Sequence, residues 1–170
     1  MTVTLHAPDP VDLRYITANL RVEDHTELFA LRWDEDTDAY ADHVSRLPDH
    51  LIFVAKVNSV PAAVFGAVPM WPGVWNVFAF GTDKWDNCVV TLTKHARRFL
   101  IPAVYHSGFH RAQAWSVVTH TKAHAWLQRS LGARPESTHP GFGRGGEDFH
   151  LFVWNRQDAE RMMRGSHVRQ

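Results

Sequence analysis

Apolar and polar positions along the 170-residue chain change period several times, and each change predicts an element. "VDLRYITANL", 11–20, alternates and is read as a first strand. "EDHTELFALRW", 23–33, brings Leu28, Phe29 and Leu31 together at helical spacing, with acids in its first turn. "DEDTDAYADHVSRL", 34–47, opens with acidic residues suited to capping a second helix, and Pro48 ends it. Three strands are expected next: "LIFVAKV" at 51–57, "PAAVFGAVPM" at 61–70 and "VWNVFAFGT" at 74–82. The turns "NSV" and "WPG" separate them, so an antiparallel meander is expected.

The period then lengthens. Residues 83–109 place Val89, Leu92, Ala96, Phe99 and Leu100 at helical spacing, with Asp86 as a candidate N-cap and Pro102 as a kink or stop. "RAQAWSVV", 111–118, is strand-like. Residues 120–131 form a helix closed by Gly132. "ARPES", 133–137, begins a strand, "HPGFGRGG", 139–146, is a glycine-rich turn, and "EDFHLFVW", 147–154, is a closing strand. The expected order is β-α-α-β-β-β-α-β-α-β-β, a mixed sheet with helices on both faces. One domain over 1–155 and a polar tail over 156–170, with room for a short frayed helix, follow from the pattern and the length.

Composition removes several classes of function. Lys and Arg number 18, as do Asp and Glu, so no overall field draws the chain to nucleic acid or to an anionic membrane. Twelve histidines make it cationic below about pH 6.5. The one cysteine, Cys88, forms no intrachain disulfide, which fits a reducing compartment. The first residues lack a basic stretch followed by an apolar one, and no apolar run is long enough to span a bilayer. A soluble cytoplasmic protein is expected.

The element order is similar to that of the GCN5-related N-acetyltransferases over residues 11–155. The best local match is the helix before Leu131, Gly132 and Ala133, with Trp126 and Leu127 packing inward. "GEDFHLF" resembles small acetyltransferase-like proteins encoded by tailed bacteriophages. The resemblance implies a mixed, mostly antiparallel α/β sheet flanked by helices on both faces. It also implies acetyl-CoA as co-substrate, a small-molecule or protein amine as acceptor, and a monomer or homodimer; for a phage protein the location is the host cytoplasm. It places a donor-binding groove where two strands splay, beside the helix after residue 119.

The same resemblance locates the phosphate-facing turn at "GTDKWDNCVV". There Phe80, Gly81, Thr82, Lys84, Trp85 and Asn87 are the expected donor contacts, with Ser116 and Thr121 from the next strand and helix. The family's basic-x-x-Gly-x-Gly/Ala signature is missing from this turn. Gln128 stands where a general-acid tyrosine often does, and Thr121 where an asparagine often begins the helix. The candidate bases are Asp83, His120 and His124, a carboxylate acting through water or an imidazole near its ordinary pKa. Each also has a plainer reading: a turn aspartate, or histidines on a polar helix face.

His120 and His124 share a helical face at i, i+4, and His139 or His150 would have to complete a metal set. With no Glu of the His-Glu-x-x-His type and no Cys pair, no metal is expected. Cys88 falls in the first turn of a helix, where a thiolate is stabilised, yet free cysteines are more often buried and inert. "GFGRGG" leads into a strand and reads as a hairpin loop, with Arg134 and Arg144 as cations near the expected cleft. The departures from the signature keep a second function open: a non-catalytic protein of this fold with a virion or host-interaction role.

Overall fold

The computed structural model describes residues 1–48 and 50–167, with the side chains of 166 and 167 outside the description. Its elements are β1 (Val3–His6), α1 (Pro10–Ala18), α2 (Val22–Ala30), α3 (Thr37–Ser45), β2 (Ile52–Val57), β3 (Val60–Trp71) and β4 (Val74–Gly81). Then come α4 (Trp85–His95), a π turn (Ala96–Leu100), α5 (Ile101–His106), β5 (Arg111–Val117), α6 (Thr121–Ala125) and a second π turn (Trp126–Ser130). β6 (Arg134–His139), β7 (Phe149–Trp154) and α7 (Arg156–His167) close the chain. The strands form one mostly antiparallel seven-stranded sheet in the order β1-β2-β3-β4-β5-β7-β6. By contacts the chain divides into two compact units: unit 1 is 1–68 with 78–92, and unit 2 is 69–77 with 93–170.

In unit 1, residues 11–20 correct the sequence reading. Residues 11–18 belong to helix α1, not to a first strand, and Leu20 makes only an isolated antiparallel bridge to Thr82. Asp9 caps the helix, its carboxylate accepting from the Val11 and Asp12 N–H groups, and Pro10 supplies a preset φ at the first position. Leu13, Ile16 and Thr17 fall on its buried face at helical spacing. The first strand is instead β1, a short polar edge strand paired antiparallel to β2. Leu13, Ile16, Ala41, Val44, Ile52, Val54, Val64 and Phe80 form a core. Asp36 caps α3 as expected, accepting from the Ala39 N–H. Asp86 does not cap α4: it lies inside the first turn, after Trp85. The β2–β3 turn puts Asn58 and Ser59 at positive φ, which matches the right-handed twist of a hairpin.

In unit 2, β4 and β5 run parallel, Val74–Asn76 pairing with Arg111–Gln113. β5 then pairs antiparallel with β7, and β7 with β6. Phe109, Ala112, Ala114, Leu127, Leu131, Phe149, Phe152 and Trp154 are buried here. The helix expected over 83–109 is divided by its first π turn, where the Ile101 N–H reaches back to the Ala96 carbonyl. Pro102 has no N–H for the Arg98 carbonyl, so the wider turn falls where an α-helical bond is missing anyway. The second π turn ends at Gly132, whose φ of +72° is the left-handed cap expected from the sequence. Residues 156–167 are helical, and Ala159 and Asp158 of this helix are buried. Asp158 accepts from Arg134 Nε and from Arg161, so Arg134 is held at α7.

Candidate active site

The turn after β4 belongs to unit 1 and is tightly tied. Phe80 is fully buried in the core, its ring 5.4 Å from that of Tyr40. The Gly81 N–H donates to Asp24 Oδ2 at 2.7 Å, and the Gly81 carbonyl accepts from the Arg21 N–H at 3.0 Å. A Cβ at Gly81 would sit 2.7 Å from the Ala62 carbonyl oxygen, so glycine is required by close packing. The Thr82 N–H donates to the Ala62 carbonyl at 2.8 Å. Thr82 Oγ1 accepts from the Lys84 N–H at 3.2 Å, and the Thr82 carbonyl from the Trp85 N–H at 3.0 Å. The Asn87 N–H donates to the Lys84 carbonyl at 3.0 Å.

Two residues at the start of α2, its N-cap Arg21 and Asp24, organise this turn. Asp24, only 2% exposed, accepts from Arg21 Nε at 2.7 Å and Nη2 at 3.1 Å as well as from Gly81. The Arg21 guanidinium stands 4.4 Å above the ring of buried Trp85, a cation–π contact. Asp83, Lys84, Asp86 and Asn87 are exposed. The sequence reading missed Arg21 and Asp24. The only local signal was the i, i+3 spacing of an Arg and an Asp, since Gly81 lies 57 residues away from Asp24.

Cys88 is buried, with Sγ donating to the Trp85 carbonyl at 3.3 Å. Burial pushes its thiol up to about 11, against the opposing pull of Arg21, so the helix start supplies no reactive thiolate.

The remaining candidates belong to unit 2. Ser116 is buried on β5, and His124 Nε2 lies 3.1 Å from its Oγ and 3.0 Å from the Val117 carbonyl oxygen. A carbonyl only accepts, so the neutral ring carries its proton on Nε2 and its lone pair on Nδ1. Two further rings enclose His124: His150 at 5.2 Å and Phe152 at 5.1 Å between centroids. His150 Nδ1 is itself bonded to Thr138 Oγ1 at 2.9 Å. His120 is buried at the entry of α6, where its N–H donates to the Val117 carbonyl and its carbonyl accepts from the His124 N–H. Thr121 is exposed, and its N–H donates to the Thr119 carbonyl.

The glycine-rich stretch is a loop between β6 and β7, as expected. Two of its N–H groups go to carboxylates, Gly141 to Asp148 and Gly145 to Glu147, and two to backbone carbonyls, Gly143 to Glu147 and Gly146 to Gly143. Among the described residues, no three or more His, Cys, Asp or Glu side chains gather as a metal site, and no helix is long and apolar enough to cross a membrane.

No family profile and no curated protein matches this sequence. Solved structures do match it. Ard1 of Thermoplasma volcanium superposes with a TM-score of 0.69 at 10% identity, covering 91% of this chain and 98% of its own. The yncA protein of Salmonella typhimurium, solved with its cofactor acetyl-CoA, gives 0.64 at 18% identity, covering 92% and 95%. An acetyltransferase of the GNAT family from Streptococcus pneumoniae gives 0.61 at 14%, covering 91% and 99%. Identities of this size speak for architecture alone. On TM-scores of 0.61 to 0.69 and near-complete coverage of both chains, this chain has the fold of the GCN5-related N-acetyltransferases.

Proposed function

We propose that the chain is an N-acetyltransferase that takes its acetyl group from acetyl-CoA and passes it to a small-molecule or protein amine. The observation that carries this reading is the match along more than 90% of the chain to acetyltransferase structures, one of them holding acetyl-CoA. In the proposed reaction the amine nitrogen attacks the acetyl carbonyl, the C–N bond forms, and the C–S bond breaks to release CoA as a thiolate. The amine loses its proton to a base. Exposed Asp83 and the buried imidazole of His120 are our candidates for that base. His124, with Nε2 committed to Val117 and Ser116, positions the end of β5. Lys84 supplies a cation for the phosphates of the donor.

One observation favours a second reading, a non-catalytic protein of this fold with a virion or host-interaction role. Pyrophosphate sites of helix N-termini rely on available backbone N–H groups. Here those of Gly81, Thr82, Lys84, Trp85 and Asn87 are all bonded within the chain, and Asp83 and Asp86 add negative charge. The turn as it stands does not fit an amide cradle for a pyrophosphate.

Isothermal titration calorimetry with acetyl-CoA, and separately with CoA, decides between them. Heat of binding at micromolar concentration, followed by thiol release with an amine panel and its loss in Asp83→Asn or His120→Ala, supports the enzyme. No heat up to millimolar ligand from folded protein rejects the enzyme and leaves the binding protein.

A further inference from the structure

The chain's net charge of zero hides a division between the units. Unit 1 carries 13 Asp and Glu against 6 Lys and Arg, a net of −7. Unit 2 carries 5 against 12, a net of +7. Each excess has a concentrated face.

In unit 2 the first π turn and the end of α4 carry exposed Lys94 and Arg98, with Phe99 beside them 47% exposed. α7 packs along this turn and adds exposed Arg161 and Arg164. In unit 1 the link from α2 to α3 and the first turn of α3 carry exposed Asp34, Glu35, Asp36 and Asp38 around Trp33, which is 98% exposed, and Leu31. That link has a fixed shape, because Asp34 and Asp36 hold the N–H groups of Asp36 and Ala39. One face is thus basic around an exposed aromatic ring, and the other acidic around an exposed aromatic ring.

We propose that the basic face of unit 2 binds the 31–38 segment of a second copy of this chain. The two excess charges are opposite in sign and equal in size, which steers encounter and fixes orientation. Trp33 is the anchor, offering its face to the guanidinium groups of Arg98 and Arg164 and its edge to Phe99. A nucleic acid would meet the same positive face, but it leaves Trp33 and the acidic segment unused. The contact joins two different surfaces, so it is heterologous, and assembly continues beyond two chains unless the rotation closes a ring.

Sedimentation velocity on the whole protein tests this at about 20 mM and about 500 mM NaCl, conditions that span weak and strong screening. Expected is an average mass well above the 19.4 kDa of one chain at low salt, falling to one chain at high salt. Trp33→Ala, a change at a solvated position that leaves folding intact by circular dichroism, weakens association at least tenfold. The decisive pair is Trp33→Ala/Glu35→Lys/Asp38→Lys and Arg98→Glu/Arg164→Glu. Each alone stays at one chain, and an equimolar mixture gives a species that stops at two. A wild-type chain that remains single at low salt overturns the proposal, as does association that survives Trp33→Ala. A single chain that shifts a labelled 20-nucleotide DNA strand also overturns it and gives the basic face to a polyanion.

Discussion

At the scale of single residues, the most consequential group is one that has no obvious catalytic look. Asp24 is a buried carboxylate shared by a guanidinium and the backbone N–H of Gly81. Removing one partner of a buried pair strands the other, which costs more than the pair contributes. Asp24→Ala leaves both Arg21 and the Gly81 N–H without their acceptor, and is expected to lower unfolding stability by about 3 kcal/mol in urea titrations. A loss below a few tenths of a kcal/mol, the size of an exposed ion pair, would reject this account. Asp24 left only a weak sequence signal for a physical reason: Arg21 is its one local partner, and its other donor is a backbone amide 57 residues away, which carries no residue identity. Thr82 and Trp85 illustrate the opposite limit. Their place in the turn was an expectation drawn from the family resemblance, while the closing of the turn by its own hydrogen bonds had no sequence signal.

At the scale of elements, most of the fold was legible where a buried face imposes a period. Ile52–Val57 and Phe149–Trp154 are rich in buried apolar residues and were read as strands. α1 was misread because its alternating letters match period 2 as well as period 3.6 over so short a window. The Asp-Pro pair before it was the better signal, a cap followed by a residue suited to the first helical position. β1 was missed because an edge strand with a half-exposed pattern has few apolar residues. Pro102 marks the first π turn as a kink without giving its width, and the second has no compositional mark.

Two predictions belong to this scale. Gly132 sits at φ +72°, and a Cβ there would fall 2.6 Å from Met162 Sδ. Gly132→Ala is expected to cost about 1–2 kcal/mol from the left-handed backbone alone. Met162→Ala in the same chain should recover only the part due to the clash, as read by thermal melts of the single and double variants. At the junction of α4 and the π turn, burial pushes the His95 imidazole below its ordinary value of 6.5. The unfolded chain then takes up that proton at higher pH than the folded one. Stability contributed here is fully present above about pH 6.5 and is lost as pH falls toward the folded value. Urea midpoints measured from pH 7.5 down to 5 should decline, and His95→Leu should flatten part of that decline. An unchanged slope in the variant would place the proton uptake elsewhere.

At the scale of the whole molecule, the histidines are divided as unevenly as the fixed charges. Unit 2 holds eight of the twelve, on a background already at +7, while unit 1 holds four on a background of −7. Acidification therefore adds like charge to one unit and begins by cancelling charge in the other. The half-buried ring of His95 lies among the eight, and burial holds its imidazole below the ordinary value, so a new proton there is opposed. The physical expectation is that the two units lose cohesion at different pH, with unit 2 first. Hydrogen exchange followed by mass spectrometry at pH 7.5 and pH 5.5, corrected for the intrinsic exchange rate, reads this directly. Amides of β5, α6 and β7 should lose protection at the lower pH while those of β2 and β3 keep theirs. Equal loss in both units would mean that the acid response is set by one cooperative unfolding of the chain, and that the uneven distribution of charge has no bearing on its stability.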